Sequence, residues 1–521
     1  MVSIIVGNVY SKIVGFLPDE VQEDLNRVLS YKIQNSRFIP SVKSGQWDGV
    51  IRLYMKCKAQ SFYTGLMSFV RDILKKHKVQ FEILDRRPKP EQNFPELVFT
   101  PPPFYEARDY QKVTIERSLK FTRGILSMAT GAGKTLVTTE LIGRIKTYPF
   151  MFYVLTKDLM EQAHGVMSAC FNQPIGIIGD GKCDMKKITI CTIQTAVMAL
   201  NAGKSNFKIS DYAFDDEDSW DEKGIENSEK ADKIRRLISS AKGLYFDETH
   251  HASSKTVVDV LTASTNAYWR FGGSATPYRE DGTSILIQAM MGSKIVDINA
   301  SYLIKRGDLV KPYIFMEPIN SKTNLHSYQK IYQQCIVKNE EFNNHVANTV
   351  NHLVSRKLSV LVLVQQYKHG EYLKKLIPNS EFINGKVSSE KRLQYINDLR
   401  EGKIVLIGSS LIDEGVDVRS LDAVVMAGGG KSSTRIGQRI GRCLRKDKKS
   451  DKQKNKAIVI IYEHNAKYLD VHAKKIRTLL KKESEFVVLT SKGENYINGE
   501  IDEILGIEGA NPTIFDSMKD L

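Results

Sequence analysis

At 521 residues the chain has room for three or four domains, each able to bury its own core. Its 75 Lys and Arg against 60 Asp and Glu leave a formal charge of +15, an excess of base that points to a polyanionic partner. The six cysteines are scattered with no Cys-x-x-Cys pair, which argues for a reducing interior and against a structural zinc. Met1 to Val6 is apolar but lacks a preceding basic region, and no run of 18 apolar residues occurs, so neither a signal peptide nor a membrane span is read and a cytoplasmic protein is expected.

Residues 1–100 read as a small α/β module, closed by Arg86-Arg87-Pro88-Lys89-Pro90 and by Thr100-Pro101-Pro102-Pro103, where clustered prolines favour an extended connection. Within it bases and aromatics interleave: Arg37, Lys43, Trp47 and Arg52 are the candidate DNA contacts, suited to phosphate binding and base stacking. The other reading makes Trp47 and the tyrosines core residues with the lysines as a solvated rim. From 104 to 300, β-like apolar runs alternate with helix-like segments, which predicts a parallel sheet covered by helices on both faces. The expected strands are Gly124 to Met128, Phe150 to Thr156, Lys187 to Thr192, Leu244 to Asp247 and Phe271 to Ala275. A second set occupies 301–482, with strands expected at Val360 to Val364, Glu381 to Asn384, Ile404 to Gly408, Ala423 to Ala427 and Ala457 to Tyr462. The fold class is therefore α/β: two tandem parallel-sheet domains with a small N-terminal α/β DNA-binding module. An acidic stretch, 211–233, reads as a solvated insertion in the first sheet domain, and residues 483–521 form a C-terminal extension with one short strand, Phe486 to Leu489.

Only the first sheet domain carries Ala129-Thr130-Gly131-Ala132-Gly133-Lys134-Thr135, placed between a β-like run and a helix-like run, Leu136 to Ile145. That context makes it a phosphate-binding loop. Its glycines turn the backbone so that amides face anionic phosphates, and the helix N-terminus adds partial positive charge. Lys134 would reach the β- and γ-phosphates of ATP, and the Thr135 hydroxyl would hold Mg²⁺. At the end of a later buried strand stands Asp247-Glu248-Thr249-His250. Asp247 is read as the metal-side acid, Glu248 as the base that positions the attacking water, and His250 as a residue coupling the nucleotide to the rest of the motor. Near the end, Gln438, Arg442 and Arg445 fall on one helix face, where guanidinium groups can stabilise charge on the γ-phosphate; a basic, DNA-facing helix is the other use of the same residues.

Together these elements resemble the superfamily 2 helicase core, with two RecA-like domains. On that resemblance Arg108 and Gln111 form the adenine-reading motif, with Gln111 contacting the base edge. Thr156 with Lys157, and Thr192 with Gln194, match the DNA-backbone motifs Ia and Ib. Ser274-Ala275-Thr276 matches motif III, which links ATP state to DNA grip. Gly385 and Arg392 stand where motif IVa would be, and Ser409 with Gly415 and Asp417 resembles motif V. Met128 ahead of the loop, and Ser409-Ser410 in place of Ala-Thr, depart from the usual pattern without removing a phosphate ligand. In the module, Ser36 to Pro40 and Gly45 to Leu53 are similar to the amino-terminal domain of the phage UvsW-type branch-migration helicases. The resemblance implies a monomeric 3′–5′ enzyme of recombination, repair and replication restart in the bacterial host cytoplasm. Its implied partners are branched and duplex DNA, including Holliday junctions and forks, and RNA–DNA hybrids in R-loops.

Overall fold

The structure is a computed structural model that describes residues 1–33, 36–56, 59–103, 105–203, 228–276, 283–384, 387–408, 421–428, 440–441, 443–445, 456–490 and 494–506. The chain divides into two compact units, Met1–Ile298 and Asn299–Leu521.

The first unit is built on an eight-stranded sheet. Its strands lie in the order Lys182–Asp184, Ile175–Gly179, Ile188–Thr192, Phe150–Val154, Gly243–Asp247, Trp269–Ser274, Arg123–Met128 and Lys294–Ile298. All neighbours run parallel except the edge pair Lys182–Asp184 with Ile175–Gly179. Phe150–Val154 and Ile188–Thr192 are buried at every position, as expected of strands covered by helices on both faces. The order places Asp247 beside Ser274's strand, and that strand beside the one leading into the phosphate loop. Three motifs far apart in sequence thus emerge at the carboxyl edge of three adjacent strands, where ligands of such sheets bind.

The N-terminal module has its own five-stranded sheet, ordered Tyr54–Met55, Ser61–Tyr63, Tyr10–Val14, Val2–Val6 and Phe81–Asp85. Helices Asp19–Val28 and Met67–Lys76 bury Val21, Leu25, Val70, Ile73 and Leu74 against one face. This core is continuous with that of the eight-stranded sheet domain. Gly65 shows how closely the two parts meet: a Cβ there would stand 2.1 Å from the Gln288 carbonyl oxygen and 2.5 Å from that of Ala289. Asn8 Nδ2 donates to the Thr265 carbonyl at 3.1 Å, and the Arg123 guanidinium donates to the Asn8 carbonyl at 2.8 Å.

Of the acidic stretch, residues up to 227 lie outside the described residues. Residues 228–233 begin helix Ser228–Ser240, which exposes Glu229, Lys230, Asp232 and Lys233, buries Ala231, Ile234 and Ile238, and packs on helix Ile193–Asn201. Its charged residues outnumber and mask an apolar stripe of four side chains, Ala231, Ile234, Leu237 and Ile238.

The second unit is a seven-stranded, wholly parallel sheet, ordered Ser380–Ile383, Val405–Gly408, Val360–Leu363, Ala423–Met426, Lys456–His464, Lys311–Ile319 and Val487–Thr490. Val487–Thr490 extends the sheet edge, and helix Glu494–Leu505 follows it. Asp502 on that helix accepts from Arg356 Nε at 2.7 Å and Nη2 at 2.6 Å, so the extension is tied to helix Glu340–Ser355 and its C-cap. Two buried histidines brace the core. His369 Nε2 is 2.8 Å from Asn343 Oδ1, whose amide nitrogen is engaged as a donor, so Nε2 carries the hydrogen. His464 Nδ1 lies 2.7 Å from Ser321 Oγ. The remaining nitrogen of each ring is buried with no hydrogen-bond partner, and burial holds both imidazoles down to about 4.

These features set two expectations. Because both histidines bind protons less readily folded than unfolded, their stabilising effect is complete above about pH 6.5 and is lost as pH falls toward 4, by up to about 3 kcal/mol each. The urea midpoint should therefore fall less steeply between pH 6.5 and 4.5 in the His369→Gln/His464→Gln double variant than in the parent. Gly65→Val should destabilise the first unit by about 1–3 kcal/mol or more through overpacking, read as a lowered thermal midpoint; an unchanged midpoint would show that the seam is loose.

Candidate functional site

The phosphate loop takes its shape from two glycines in the left-handed region, Gly131 at φ +88° and Gly133 at φ +84°. The Ala129 amide donates to the Ile298 carbonyl at 2.7 Å, and the Ala132 amide closes back on the Ala129 carbonyl at 3.0 Å. Thr130 and Gly131 form this tight bend, and Ala132 is fully buried. Helix Lys134–Ile145 starts at once, with Gly133 as its cap, so the first helical amides face the space above the loop.

The loop is held from below by the start of helix Asp109–Phe121. Gln111 Nε2 donates to the Ala132 carbonyl at 2.9 Å, and Tyr110 Oη donates to the same oxygen at 3.1 Å. Gln111 Oε1 accepts from the Arg108 amide at 2.9 Å and from Tyr105 Oη at 3.0 Å, while Arg108 Nη1 donates to Tyr110 Oη at 2.7 Å. Gln111 is only 2% exposed, so its first role in this structure is to brace the loop. A Cβ on Gly133 would lie 2.7 Å from Gln111 Nε2, which makes glycine a steric as well as a conformational requirement there.

Above the loop, Lys134 Nζ lies 3.4 Å from Glu248 Oε1. Glu248 has φ +54°, an unusual conformation for a glutamate and a place where backbone strain is stored. It turns the chain just after strand Gly243–Asp247, so that adjacent acids point into one site. Burial, then the neighbouring Glu248 charge, push Asp247 up to about 6. Burial also opposes charge on Glu248, but Lys134 and then His250 outweigh it and hold that carboxyl well below its ordinary range. At neutral pH Glu248 is a charged acceptor in a low-dielectric site, which suits it to orient a water.

His250 carries the site onward. Its Nδ1 is 3.4 Å from Glu248 Oε2 and 3.3 Å from Ser274 Oγ, and that hydroxyl accepts from the Thr276 amide at 3.2 Å. Thr249 Oγ1 donates to the Gly273 carbonyl at 3.1 Å, a second link between the same two strand ends. A continuous polar path thus runs from Lys134 to Thr276.

The residues also fit a divalent cation bound together with phosphates. Asp247 Oδ1 is buried with no hydrogen-bond partner among the described residues, and the hydroxyl of Thr135 supplies a second hard oxygen from the helix start. Such an ion, when bound, would neutralise charge on the phosphates.

Elsewhere in this unit the structure brings together two segments that the sequence reading kept apart. Gln194 Nε2 donates to the Leu155 carbonyl at 2.7 Å, joining the start of helix Ile193–Asn201 to the loop before Thr156. Thr156 caps helix Lys157–Cys170 by accepting from the Leu159 amide at 3.3 Å, Lys157 pairs with Asp180, and Thr192 Oγ1 donates to Thr195 Oγ1 at 2.8 Å. In the module, the Arg37 guanidinium sits 4.9 Å from the Phe38 ring centre, Lys43 is exposed, and Trp47 is half-buried with its indole donating to the Val50 carbonyl at 3.2 Å. Arg52 pairs with Asp48 at 2.5 Å. Tyr54, by contrast, is a core residue, 2% exposed.

In the second unit Gln438, Arg442, Gly385, Ser409, Gly415 and Asp417 lie outside the described residues. Arg445 forms a bridge with Leu309, and Ile440, Cys443 and Leu444 beside it are buried. Arg392 lies on helix Ser389–Arg400.

Two family models match the chain: the type III restriction enzyme res subunit over residues 104–279 and the helicase conserved C-terminal domain over 343–447. The chain belongs to the superfamily 2 helicases. It is 23% identical over 458 residues to the ATP-dependent DNA helicase uvsW of Enterobacteria phage T4, a match covering 81% of this chain and 84% of that one. It is 28% identical over 257 residues to a protein of Sulfolobus islandicus filamentous virus designated helicase 22, where the match spans 45% of each chain, less than half of that relative's length. The fold is also similar to that of the DNA-bound type ISP restriction-modification enzyme LlaBIII, with a TM-score of 0.51 at 15% identity, covering 84% of this chain and 35% of that one. As members of this superfamily, helicases with these tandem RecA-like domains use ATP. Among the described residues, no helix is long and apolar enough to cross a membrane.

Glu248→Gln should leave nucleotide binding intact while lowering ATP turnover by about 100-fold or more, as removal of a positioned base does; the check is nucleotide affinity by fluorescence beside steady-state turnover. His250→Ala should keep turnover within about tenfold of the parent yet abolish strand displacement. Equal loss of both activities would remove His250 from the coupling role.

Proposed function

We propose that this protein is an ATP- and Mg²⁺-dependent DNA motor that remodels branched DNA by unwinding and branch migration. The observation that carries the motor reading is the path from Lys134 through Glu248 and His250 to Ser274 and Thr276. It connects the group that senses the γ-phosphate to the loop that follows the neighbouring strand, Trp269–Ser274, by charged and hydrogen-bonded contacts only. In this reading Lys134 and the loop amides hold ATP, Asp247 and Thr135 hold the magnesium ion, and Glu248 orients the attacking water. Arg442 and Arg445 stabilise the developing charge, with Gln438 beside them, and Gln111 adds an adenine contact through its remaining N–H. Thr156, Lys157, Thr192, Gln194 and Ser409 grip the DNA backbone in a 3′–5′ sense, and Gly415 and Asp417 report on the nucleotide.

The branched substrate is supported by the module. It carries exposed basic and aromatic side chains at Arg37, Phe38 and Lys43, and it is packed on the motor's first sheet domain by a shared core. A module so attached holds a duplex arm at a fixed place relative to the ATP site. The similarity to the phage T4 helicase extends over most of the chain, which supports the same job, performed by a monomer in the cytoplasm of a bacterial host. The similarity of residues 104–279 to restriction-enzyme motors supports a second reading, a translocase on continuous duplex.

A synthetic four-way junction, a linear duplex and a single strand, each given to the protein with ATP and Mg²⁺, separate the two. Turnover stimulated by the junction and its resolution into duplexes, both lost in Lys134→Ala, is the expected result. Equal stimulation by linear duplex with the junction left intact would retain the motor and overturn the branched substrate.

A further inference from the structure

The module presents a second surface that the basic loop of residues 36–52 does not include. Strand Tyr10–Val14 alternates strictly: Ser11 and Ile13 are buried, while Tyr10, Lys12 and Val14 face outward. Antiparallel pairing sets Tyr63 directly opposite Tyr10, and Ser61 opposite Lys12, on the same open face. The two tyrosine rings pack in a tilted pair with centroids 4.8 Å apart and planes inclined by 39°, and their hydroxyls are 3.5 Å apart. Tyr63 is the half-buried backstop; burial raises its phenol to well above the ordinary value. Tyr10 is the outer ring, 40% exposed. Lys12, two residues along the same face, makes no ion pair among the described residues.

An outward aromatic positioned by a second ring offers a flat, pre-ordered face that a planar ligand can cover. Several features together say which ligand does. The face pairs an aromatic platform with an unneutralised cation, the combination that receives an unpaired base and its phosphate. The module as a whole carries fifteen Lys and Arg against ten Asp and Glu over residues 1–100, so the complementary ligand is an anion. The platform also lies next to the motor. Asn8, two residues before Tyr10, bonds to Thr265 and Arg123, and Thr265 closely follows helix Lys255–Ala263, which itself follows the Asp247–His250 segment. Resting on the nucleic-acid motor reading above, we propose that Tyr10, backed by Tyr63 and flanked by Lys12, is a stacking site for single-stranded DNA, occupied by a strand released from the duplex. A base would lie on the Tyr10 ring while Lys12 meets the adjoining phosphate. Duplex DNA, whose bases are already stacked on one another, would gain nothing from the ring.

The test uses the full-length protein and a 20-nucleotide single strand carrying 2-aminopurine, with a duplex of the same sequence as comparison. Tyr10→Ala should weaken single-strand binding by about tenfold and remove the 2-aminopurine quenching. Tyr10→Phe, which keeps the ring, should restore both, and neither variant should alter duplex affinity or ATP turnover without DNA. Lys12→Ala should lower the slope of single-strand affinity against salt by about one ion. If Tyr10→Ala binds the single strand as tightly as the parent, the stacking site is overturned; if it also changes the sedimenting mass, the face serves a second copy of the chain. A parent protein that binds no DNA at all would instead overturn the motor reading on which the proposal rests.

Discussion

Two carboxylates placed side by side at the end of a buried strand repel each other and resist burial, and the site exists because Lys134 meets one of them. That ion pair lets Glu248 stay charged inside the protein while Asp247 rises toward the protonated form. Everything nearby follows from keeping these groups in register. The left-handed turn at Glu248 aims it at Lys134, the glycines at 131 and 133 bring the lysine's helix close, and Gln111 with Tyr110 fixes the loop from the other side. Binding of a triphosphate would compete with Glu248 for Lys134. The pair therefore both stabilises the empty loop and frees the carboxylate when the loop fills.

Close backbone approach is the second recurrent device. Gly273 faces the Tyr245 hydroxyl, where a Cβ would come within 1.8 Å, and Gly272 faces Thr249 at 2.4 Å. Neither glycine has a left-handed backbone, so both serve to clear space around the strand ends that carry Asp247 and Ser274. Arg270 works in the same region from within the core. Fully buried, it donates to the carbonyls of Ser264 and Leu261 at 2.9 and 2.6 Å and closes the end of helix Lys255–Ala263.

The parallel strands of both units were legible because burial on both faces leaves short, unbroken apolar runs such as Phe150–Val154 and Val360–Leu363, and the phosphate loop was legible because its chemistry dictates its spelling. What stayed hidden has physical causes. Strand Lys311–Ile319 contains Pro312 and Pro318, which read as breakers, yet both sit near its ends and leave the interior amides of Tyr313–Glu317 free for the ladder. Helix Ser228–Ser240 was hidden by its charges. In the site, residue types and spacing pointed to Asp247, Glu248 and His250, but not to Tyr110 and Tyr105 as supports of the loop, nor to Gln194 as a clamp on Leu155, since side chain to backbone bonds between distant segments leave no periodic trace.

The strand order of the second unit bears on how the chain is made. Lys311–Ile319 is the first strand of that sheet to leave the ribosome, yet its two neighbours are Lys456–His464 and Val487–Thr490, the last two to do so. Until those segments emerge, an apolar strand with Ile314, Phe315 and Met316 at its centre has neither edge satisfied. The nascent second unit must wait, partly assembled, for almost its entire length to be translated, and this interval is when it is most exposed to aggregation and most dependent on chaperones.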